Sequence, residues 1–432
     1  MSELKDDLDA CLRQLFPLCR SLTGEANRQT LLALKSIAPV TLHEVPTGKA
    51  VYDWVIPDEW NIRDAWIADS AGRRVVDFQS SNLHLVGYSE PVNLRLNWEQ
   101  IRPRLHIHPD LPEAIPYRTT YYRRDWGFCL THAQYAELEE MQGPFEVVID
   151  ADLEPGSLTY GEILLPGEST KEILISCYIC HPSMANDSLS GVVLAAFLAR
   201  HLAGRGHLRY SYRIVFVPET LGAIAYCAEN EQAMKNIDVG LVITTAGGPG
   251  RFGYKQSWNS AHPINRMVEE VFREAGEDFI TYPFDIHGSD ERQYSSQGFR
   301  INCTTISKDR YYEYPEYHSS LDNLDFVTAD HLEKSFSLYV RLIDKLEARR
   351  IHRSLIPNGE AMLSRRDLYP TLGGAQRPQL GGRSELDLIL WVLFLSDGRQ
   401  STQDIAGFLG IAVEEIDLIT GKLVQAGTLA HV

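Results

Sequence analysis

Glu172-Ile-Leu-Ile-Ser-Cys-Tyr-Ile-Cys-His181-Pro-Ser-Met-Ala-Asn-Asp187-Ser-Leu-Ser-Gly191 is the stretch whose reading decides the fold. Residues 172–180 are apolar enough for a short buried strand, and after the turn Val192, Ala195, Leu198 and Leu202 fall on one helical stripe. Between them the chain stops on an imidazole and delivers a carboxylate to the start of the helix. Asn186, Asp187 and Ser188 are all helix-starting residue types, and Gly191 lets the turn sit close against the sheet. Open α/β sheets gather ligands at the carboxyl ends of their strands, so His181 and Asp187 are placed to form half of a metal site. A buried His beside a helix-capping Asp is the ordinary alternative, and this pair alone does not separate the two.

Two further segments do. Arg213-Ile-Val-Phe-Val-Pro-Glu219-Thr-Leu-Gly222 is a second strand that ends on an acid and a Gly-containing turn. Tyr311-Tyr-Glu-Tyr-Pro-Glu-Tyr-His318-Ser-Ser-Leu-Asp322 sets a His in an aromatic, Pro-broken loop before a helix expected near Thr328. His181, Asp187 and His318 would make three protein ligands and leave the fourth zinc position to water, as in catalytic sites. Glu219 is then free to act as the general base.

These residues resemble the zinc aminopeptidase clan, which includes secreted bacterial leucine aminopeptidases and the glutaminyl cyclases. The whole chain is similar, more narrowly, to a bacterial family of aminopeptidase-like proteins with an inserted domain and a C-terminal winged helix. Val51-Tyr-Asp-Trp-Val-Ile-Pro-Asp-Glu-Trp60, Ser81-Asn-Leu-His-Leu-Val-Gly-Tyr-Ser89, Ile115-Pro-Tyr-Arg-Thr-Thr-Tyr-Tyr122 and Trp126-Gly-Phe-Cys-Leu130 carry that narrower likeness. The resemblance implies an α/β fold, a mostly parallel doubly wound sheet of zinc aminopeptidase type, with an inserted β-rich domain and a C-terminal winged-helix domain. It puts His181, Asp187 and His318 at metal-ligand positions and Glu219 at that of the base.

Three departures from the two-zinc members stand out. Thr220 follows the base where a second Glu is usual, Ser183 replaces an Asp two residues after the first His, and Val239-Gly-Leu-Val-Ile-Thr-Thr-Ala-Gly-Gly248 lacks the Asp that would hold a second ion. One zinc per chain is therefore expected. Such an ion polarises a carbonyl and brings the pKa of its water to roughly 7. Tyr317 offers a hydroxyl near His318 but is more simply a packing aromatic. The segment His287-Gly-Ser-Asp-Glu-Arg-Gln293 resembles the clan's Ser-Asp segment beside the substrate pocket. There Asp290 or Glu291 would pair with a substrate amino group and Arg292 with a carboxylate or phosphate, the rival being a solvated loop with an internal ion pair.

Other signals exclude more than they assign. Cys177-Tyr-Ile-Cys180-His181 matches a haem-attachment pattern, but Cys177 and Cys180 point to opposite faces of a strand and the first residues hold acids in place of an apolar signal core. Gly247-Gly-Pro-Gly250 lacks the ending of a phosphate loop. At 432 residues, 44% hydrophobic and 23% charged, the chain can bury a large core in two or three domains, and seven cysteines fit a reducing, cytoplasmic setting. No run is long and apolar enough for a membrane span, and the net charge of −17 disfavours nucleic acid and anionic membranes.

Breaks in periodicity divide the chain. Residues 1–45 and 135–355 are expected to form the catalytic domain, with Leu8, Cys11, Leu12 and Leu15 on one stripe of its first helix. Residues 46–134, strand-like and containing Trp54, Trp60, Trp66, Trp98 and Trp126, are expected as an insertion that walls the site. Residues 356–383, with Gly373-Gly374 and Gly381-Gly382, look like a linker, and 384–432 resemble a winged helix. Winged helices usually bind DNA, but between Ser384 and Val432 seven acids face two bases, and the candidate recognition helix begins Glu414-Glu415-Ile-Asp417. Like charge at that end disfavours phosphate contact, so a protein-contact or homo-oligomer role is expected. The resulting expectation is a zinc-dependent hydrolase of an amide in a small peptide or aminoacylated metabolite. Glutaminyl-cyclase-like acyl transfer and a non-catalytic metal-binding protein are the alternatives.

Overall fold

The computed structural model describes residues 3–169, 171–369 and 384–432, and divides into one compact unit up to Leu342 and another from Ile343. Part of the linker expected at 356–383, including both Gly-Gly pairs, lies outside the described residues.

The first unit is built on an eight-stranded sheet in the order Thr41–Pro46, Ser157–Leu165, Ser211–Val217, Glu172–Tyr178, Ile237–Val242, Asn302–Ser307, Phe252–Lys255, Phe279–Tyr282. The four strands in the middle are mutually parallel, whereas Ser157–Leu165 and Phe252–Lys255 run antiparallel to the strands that they flank. From Glu172–Tyr178 the chain moves to one neighbour and then crosses back to the other. Right-handed crossovers in opposite directions put the intervening helices, Gly191–Ala203 and Leu221–Glu229, on opposite faces. The reversal leaves a crevice at the carboxyl ends of the strands that start at Glu172, Ser211 and Ile237, the position that ligands occupy in such sheets. The α/β, mostly parallel, doubly wound arrangement expected from the sequence is present.

Local detail differs in one instructive way. The stripe of Val192, Ala195, Leu198 and Leu202 is buried, but so are Val193, Leu194, Ala196, Phe197 and Ala199, so the helix is apolar all round and lies inside the unit. Its start is not capped by Asn186, Asp187 or Ser188. Those residues form an irregular helical turn over Ala185–Ser190, in which Asp187 has non-helical angles and the Asp187–Ser188 peptide is cis. Gly191 does allow the close approach, since a Cβ there would overlap the Ile243 carbonyl.

A second, antiparallel sheet has the order Arg74–Asp77, Glu59–Ala68, Phe145–Glu154, Val92–Leu96. Trp60, Trp98, Phe128, Phe145 and Ile67 fill its core. Its strand Phe145–Glu154 lies outside the 46–134 segment and runs almost directly into Ser157–Leu165 of the main sheet, so the two sheets share one stretch of chain.

One guanidinium ties these parts together. Arg28, on the helix Glu25–Leu34, binds Glu59 bidentately at 2.7 and 2.6 Å, Glu44 at 2.8 Å and Ser157 Oγ at 3.0 Å. Glu59 also accepts from the Ser157 amide at 2.9 Å and from Asn61. Gly156 is required beside it, because a Cβ would come within 2.6 Å of the Glu59 side chain.

The second unit holds the helices Glu385–Leu395, Thr402–Leu409 and Val413–Gln425, with a sheet ordered Asp397–Ser401, Ile351–Ser354, Leu429–His431. Leu388, Val392, Ile405, Ile416 and Leu423 form its core. The central strand comes from residues before the linker, a contribution not foreseen from the sequence. Among the described residues no helix is long and apolar enough to cross a membrane.

The Arg28 hydrogen bonds hold the Glu59 carboxyl well down, at about 2. A depressed acid contributes stability that is full above its unfolded pKa and is lost as pH falls through the folded one. Between about pH 4.5 and 2 the wild type should therefore lose on the order of 1–3 kcal/mol that Glu59→Gln does not lose. Denaturant titrations of both proteins at several acidic pH values measure this, and parallel pH slopes would refute it.

Candidate metal centre

His181, Glu219 and Thr244 each follow one of three adjacent parallel strands, and the loop after Asn302–Ser307 brings His318 over them. One oxygen or nitrogen from each of His181, Asp187 and His318 lies within 4.8 Å of the other two. His318 Nε2 is 2.9 Å from Asp187 Oδ2, and His181 Nε2 is 3.9 Å from Glu219 Oε2. The far-apart residues proposed from the sequence thus converge at one strand-end crevice. Thr220, Thr245 and His318 all have positive φ there, a backbone state that side chains with a Cβ adopt rarely and that clusters at functional sites.

The partners of each group are specific. Arg20, itself buried, donates to the His181 carbonyl at 2.9 Å and to the Leu15 carbonyl at 2.6 Å. Tyr178 donates its hydroxyl to Asp187 Oδ1 and accepts from Thr244 Oγ1 at 2.6 Å. The Asp322 carboxylate receives the amides of Asn186 and Asp187 at 2.5 and 2.9 Å and the Tyr314 hydroxyl at 3.1 Å. Tyr117, from the β-rich module, packs its ring 5.2 Å from His181 and 5.1 Å from His318, and its amide donates to the His318 carbonyl at 2.8 Å. Tyr317 stacks flat on His318 at 3.9 Å, a packing role that occupies its face.

Electrostatics favour the ligand-competent forms. Burial pushes His181 down to about 4, so its imidazole is neutral at ordinary pH. Burial opposes ionisation of Asp187, but the two histidines and the Tyr178 bond outweigh it and hold the carboxyl at about 2. Asp187 is therefore a buried anion whose direct side-chain partners are a phenol and an imidazole. Two imidazoles and one buried carboxylate are the donor set of a catalytic zinc site. The chemistry of these residues fits that ion.

Cys180, His181 and Glu219 form a second close group. The Cys180 sulfur accepts the Glu219 amide at 3.2 Å, but burial raises the thiol well above its usual range and keeps it a poor ligand. Ser183 faces elsewhere, donating to the Phe16 carbonyl and accepting from Asn82 Nδ2, both at 2.8 Å. Glu219 is the open acid of the site, with 27% of its side chain exposed. Burial and the neighbouring charges of Asp290 and Asp187 raise its proton affinity.

The segment 290–292 is split by burial. Asp290 is fully buried and accepts the Thr220 amide at 2.7 Å, and its carboxyl is pushed up to about 7, chiefly by burial. Glu291 is 1% exposed and is held by Lys255 at 2.8 Å. Arg292 is exposed, with contacts of 3.4 Å to the Ile286 carbonyl and 3.5 Å to Thr220 Oγ1. Tyr178, Arg20, Tyr117 and Asp322 were not singled out from sequence. Asp322 closes the quoted His318 loop and Tyr117 lies in a quoted run, yet only the folded chain gives either a partner.

Because Asp322 fixes both amides of the Asp187 turn, Asp322→Ala should weaken zinc binding about 10–100-fold, the usual cost of losing a partner behind a ligand. Competition with a chromophoric chelator measures it, and unchanged affinity would show that the turn holds its shape alone.

Comparison with known proteins agrees with this architecture. Residues 9–349 match the family described as a domain of unknown function (DUF4910), and residues 350–431 match a winged helix-turn-helix family. A Clostridium acetobutylicum protein, named for a provisional polysaccharide biosynthesis role and an aminopeptidase-like domain, is 40% identical over 99% of this chain and 97% of its own. A crystal structure of a provisionally assigned peptidase from Clostridium acetobutylicum superposes with a TM-score of 0.82 at 38% identity, covering 100% of this chain and 97% of that one. A zinc aminopeptidase from Bacillus subtilis shares the fold, with a TM-score of 0.55 at 11% identity over 79% of this chain and 95% of that one. The chain belongs to the DUF4910 family, an aminopeptidase-like fold joined here to a winged helix-turn-helix.

Proposed function

We propose that this protein is a mononuclear zinc hydrolase that cleaves an amide bond in a small peptide or aminoacylated metabolite. The observation that carries the reading is the convergence of His181, Asp187 and His318 with Glu219 left over, partly open to solvent and 3.9 Å from His181. The family's aminopeptidase-like fold supports it. A bound zinc would supply Lewis-acid polarisation of the scissile carbonyl and of the attacking water.

The chain's own groups would do the rest. Glu219 Oε2 faces the ligand His181 and takes the proton from the attacking water, then passes it to the leaving amine. Its raised proton affinity suits a group that must hold that proton briefly near neutral pH. Asp290 fixes the backbone behind this base through the Thr220 amide. Tyr178 engages Asp187 Oδ1, so only Oδ2, which faces His318 Nε2 at 2.9 Å, is turned toward the proposed ion, which supports one ion in preference to two. The aromatic module at 46–134 walls the site through Tyr117 and Tyr121, whose hydroxyls lie 3.1 Å apart.

In the winged helix, Glu414 and Glu415 are exposed at the start of Val413–Gln425. This favours protein contact or self-association over nucleic acid. Seven unpaired cysteines, six of them buried, fit a cytoplasmic setting.

Protein purified without chelator should hold about one zinc per chain. Glu219→Gln should keep the metal and lose at least ~100-fold in activity on an aminoacyl-amide panel, the lower range for removing a general base. His318→Ala should lose the metal. Zinc lost from Glu219→Gln would make Glu219 a ligand and overturn the assignment of roles.

A further inference from the structure

Around the base the charges have been sorted. Asp290 and Glu291 are buried, and their partnered oxygens are committed to the Thr220 amide at 2.7 Å and to Lys255 at 2.8 Å. Lys255 also meets Asp285 at 3.1 Å, and Asp285 in turn meets Arg310, whose other side pairs with Glu313. From Glu291 to Glu313 every side chain in this chain of contacts has an opposite partner at ion-pairing distance. Arg292 has none so close, and its charge acts on Glu219 and Asp290 only from farther off. Its guanidinium reaches only the Ile286 carbonyl and the Thr220 hydroxyl, at 3.4 and 3.5 Å, and no carboxylate of the described residues lies within ion-pairing distance.

Its position gives this meaning. Thr220 directly follows Glu219, so the exposed guanidinium contacts the residue next to the base. Tyr122, 52% exposed on the β-rich module, lies within electrostatic reach of Glu219, and Tyr312, 67% exposed, packs 5.0 Å from Tyr317, which stacks on His318. The chain carries a net charge of −17, so an anionic substrate is repelled overall and needs a local cation to be held at all. A planar, weakly hydrated guanidinium suits an oxyanion, which it can grip with two parallel hydrogen bonds.

We infer that Arg292 binds an oxyanion, a carboxylate or a phosphate, carried by the substrate close to the amide that is cleaved. This rests on the proposed hydrolase reading and narrows it to anionic substrates, such as a very short peptide with a free carboxyl end or an aminoacylated phosphate ester. Asp290 and Glu291 then support the loop and do not touch substrate.

The test compares leucyl-glycine with leucyl-glycinamide on the zinc-loaded full chain. Wild type should favour the free carboxylate by at least ~10-fold in kcat/KM, the effect of one charge-assisted hydrogen bond, and mainly through KM. Arg292→Gln should bring the ratio close to one, and Arg292→Lys should restore part of it. Calorimetry in the Glu219→Gln background, with leucyl-glycine and inorganic phosphate as separate ligands, reads binding without turnover and shows which oxyanion is preferred. Anion binding that weakens at least ~10-fold on adding Arg292→Gln supports the inference even if neither dipeptide is hydrolysed. Equal loss on both dipeptides, or anion affinity indifferent to residue 292, overturns it.

Discussion

An ionised carboxylate buried in the irregular turn that follows a parallel strand is the constraint on which this centre depends. Asp187 is 1% exposed, and an isolated buried charge is costly enough that proteins normally neutralise it. Here it stays charged because His181, His318 and the Tyr178 hydroxyl surround it, while Asp322 fixes the amides of Asn186 and Asp187. Those partners come from two far-apart stretches of the chain, 178–181 and 318–322. The sheet order, the irregular turn at 185–190 and the positive φ at His318 all serve to bring them to one point.

The surrounding groups show a division of labour. Arg20 and Tyr117 act on backbone carbonyls of the two histidine loops, and so set where the imidazoles stand without using their ring nitrogens. Tyr178 occupies one oxygen of Asp187 and is itself held by the Thr244 hydroxyl. Thr244 follows the strand in which the sequence lacks a further acid, and its hydroxyl bonds the tyrosine that holds Asp187. Ser183, another position where an acid is absent, is likewise directed away, toward Phe16 and Asn82.

Much of this was legible in the sequence because the decisive signals are local. A buried strand ending in His or Glu, followed by a glycine and a helix, is written in consecutive residues, and so are the stripe of Leu8, Cys11, Leu12 and Leu15 and the helices of the winged domain. What escaped is non-local. Nothing near Asp322 announces that its carboxylate will meet amides about 135 residues away, and nothing near Arg20 marks a cation that will serve carbonyls in the interior. Asn186 to Ser188 look like caps by composition, but the tertiary demand on Asp187 overrides that local preference. Asp290, Glu291 and Arg292 look alike in sequence as a polar cluster, and only burial separates the two acids from the one open cation.

The Arg28 clasp has a mechanical consequence. Because a single side chain grips Glu59 of one sheet and Glu44 and Ser157 of the other, the aromatic wall cannot drift from the crevice without breaking several charged contacts together. Under the proposed hydrolase reading, access for a reactant would then be governed by side chains at the rim and not by hinging between the sheets. Changing which molecules enter would be a matter of exchanging a few tyrosines, on a frame that stays still.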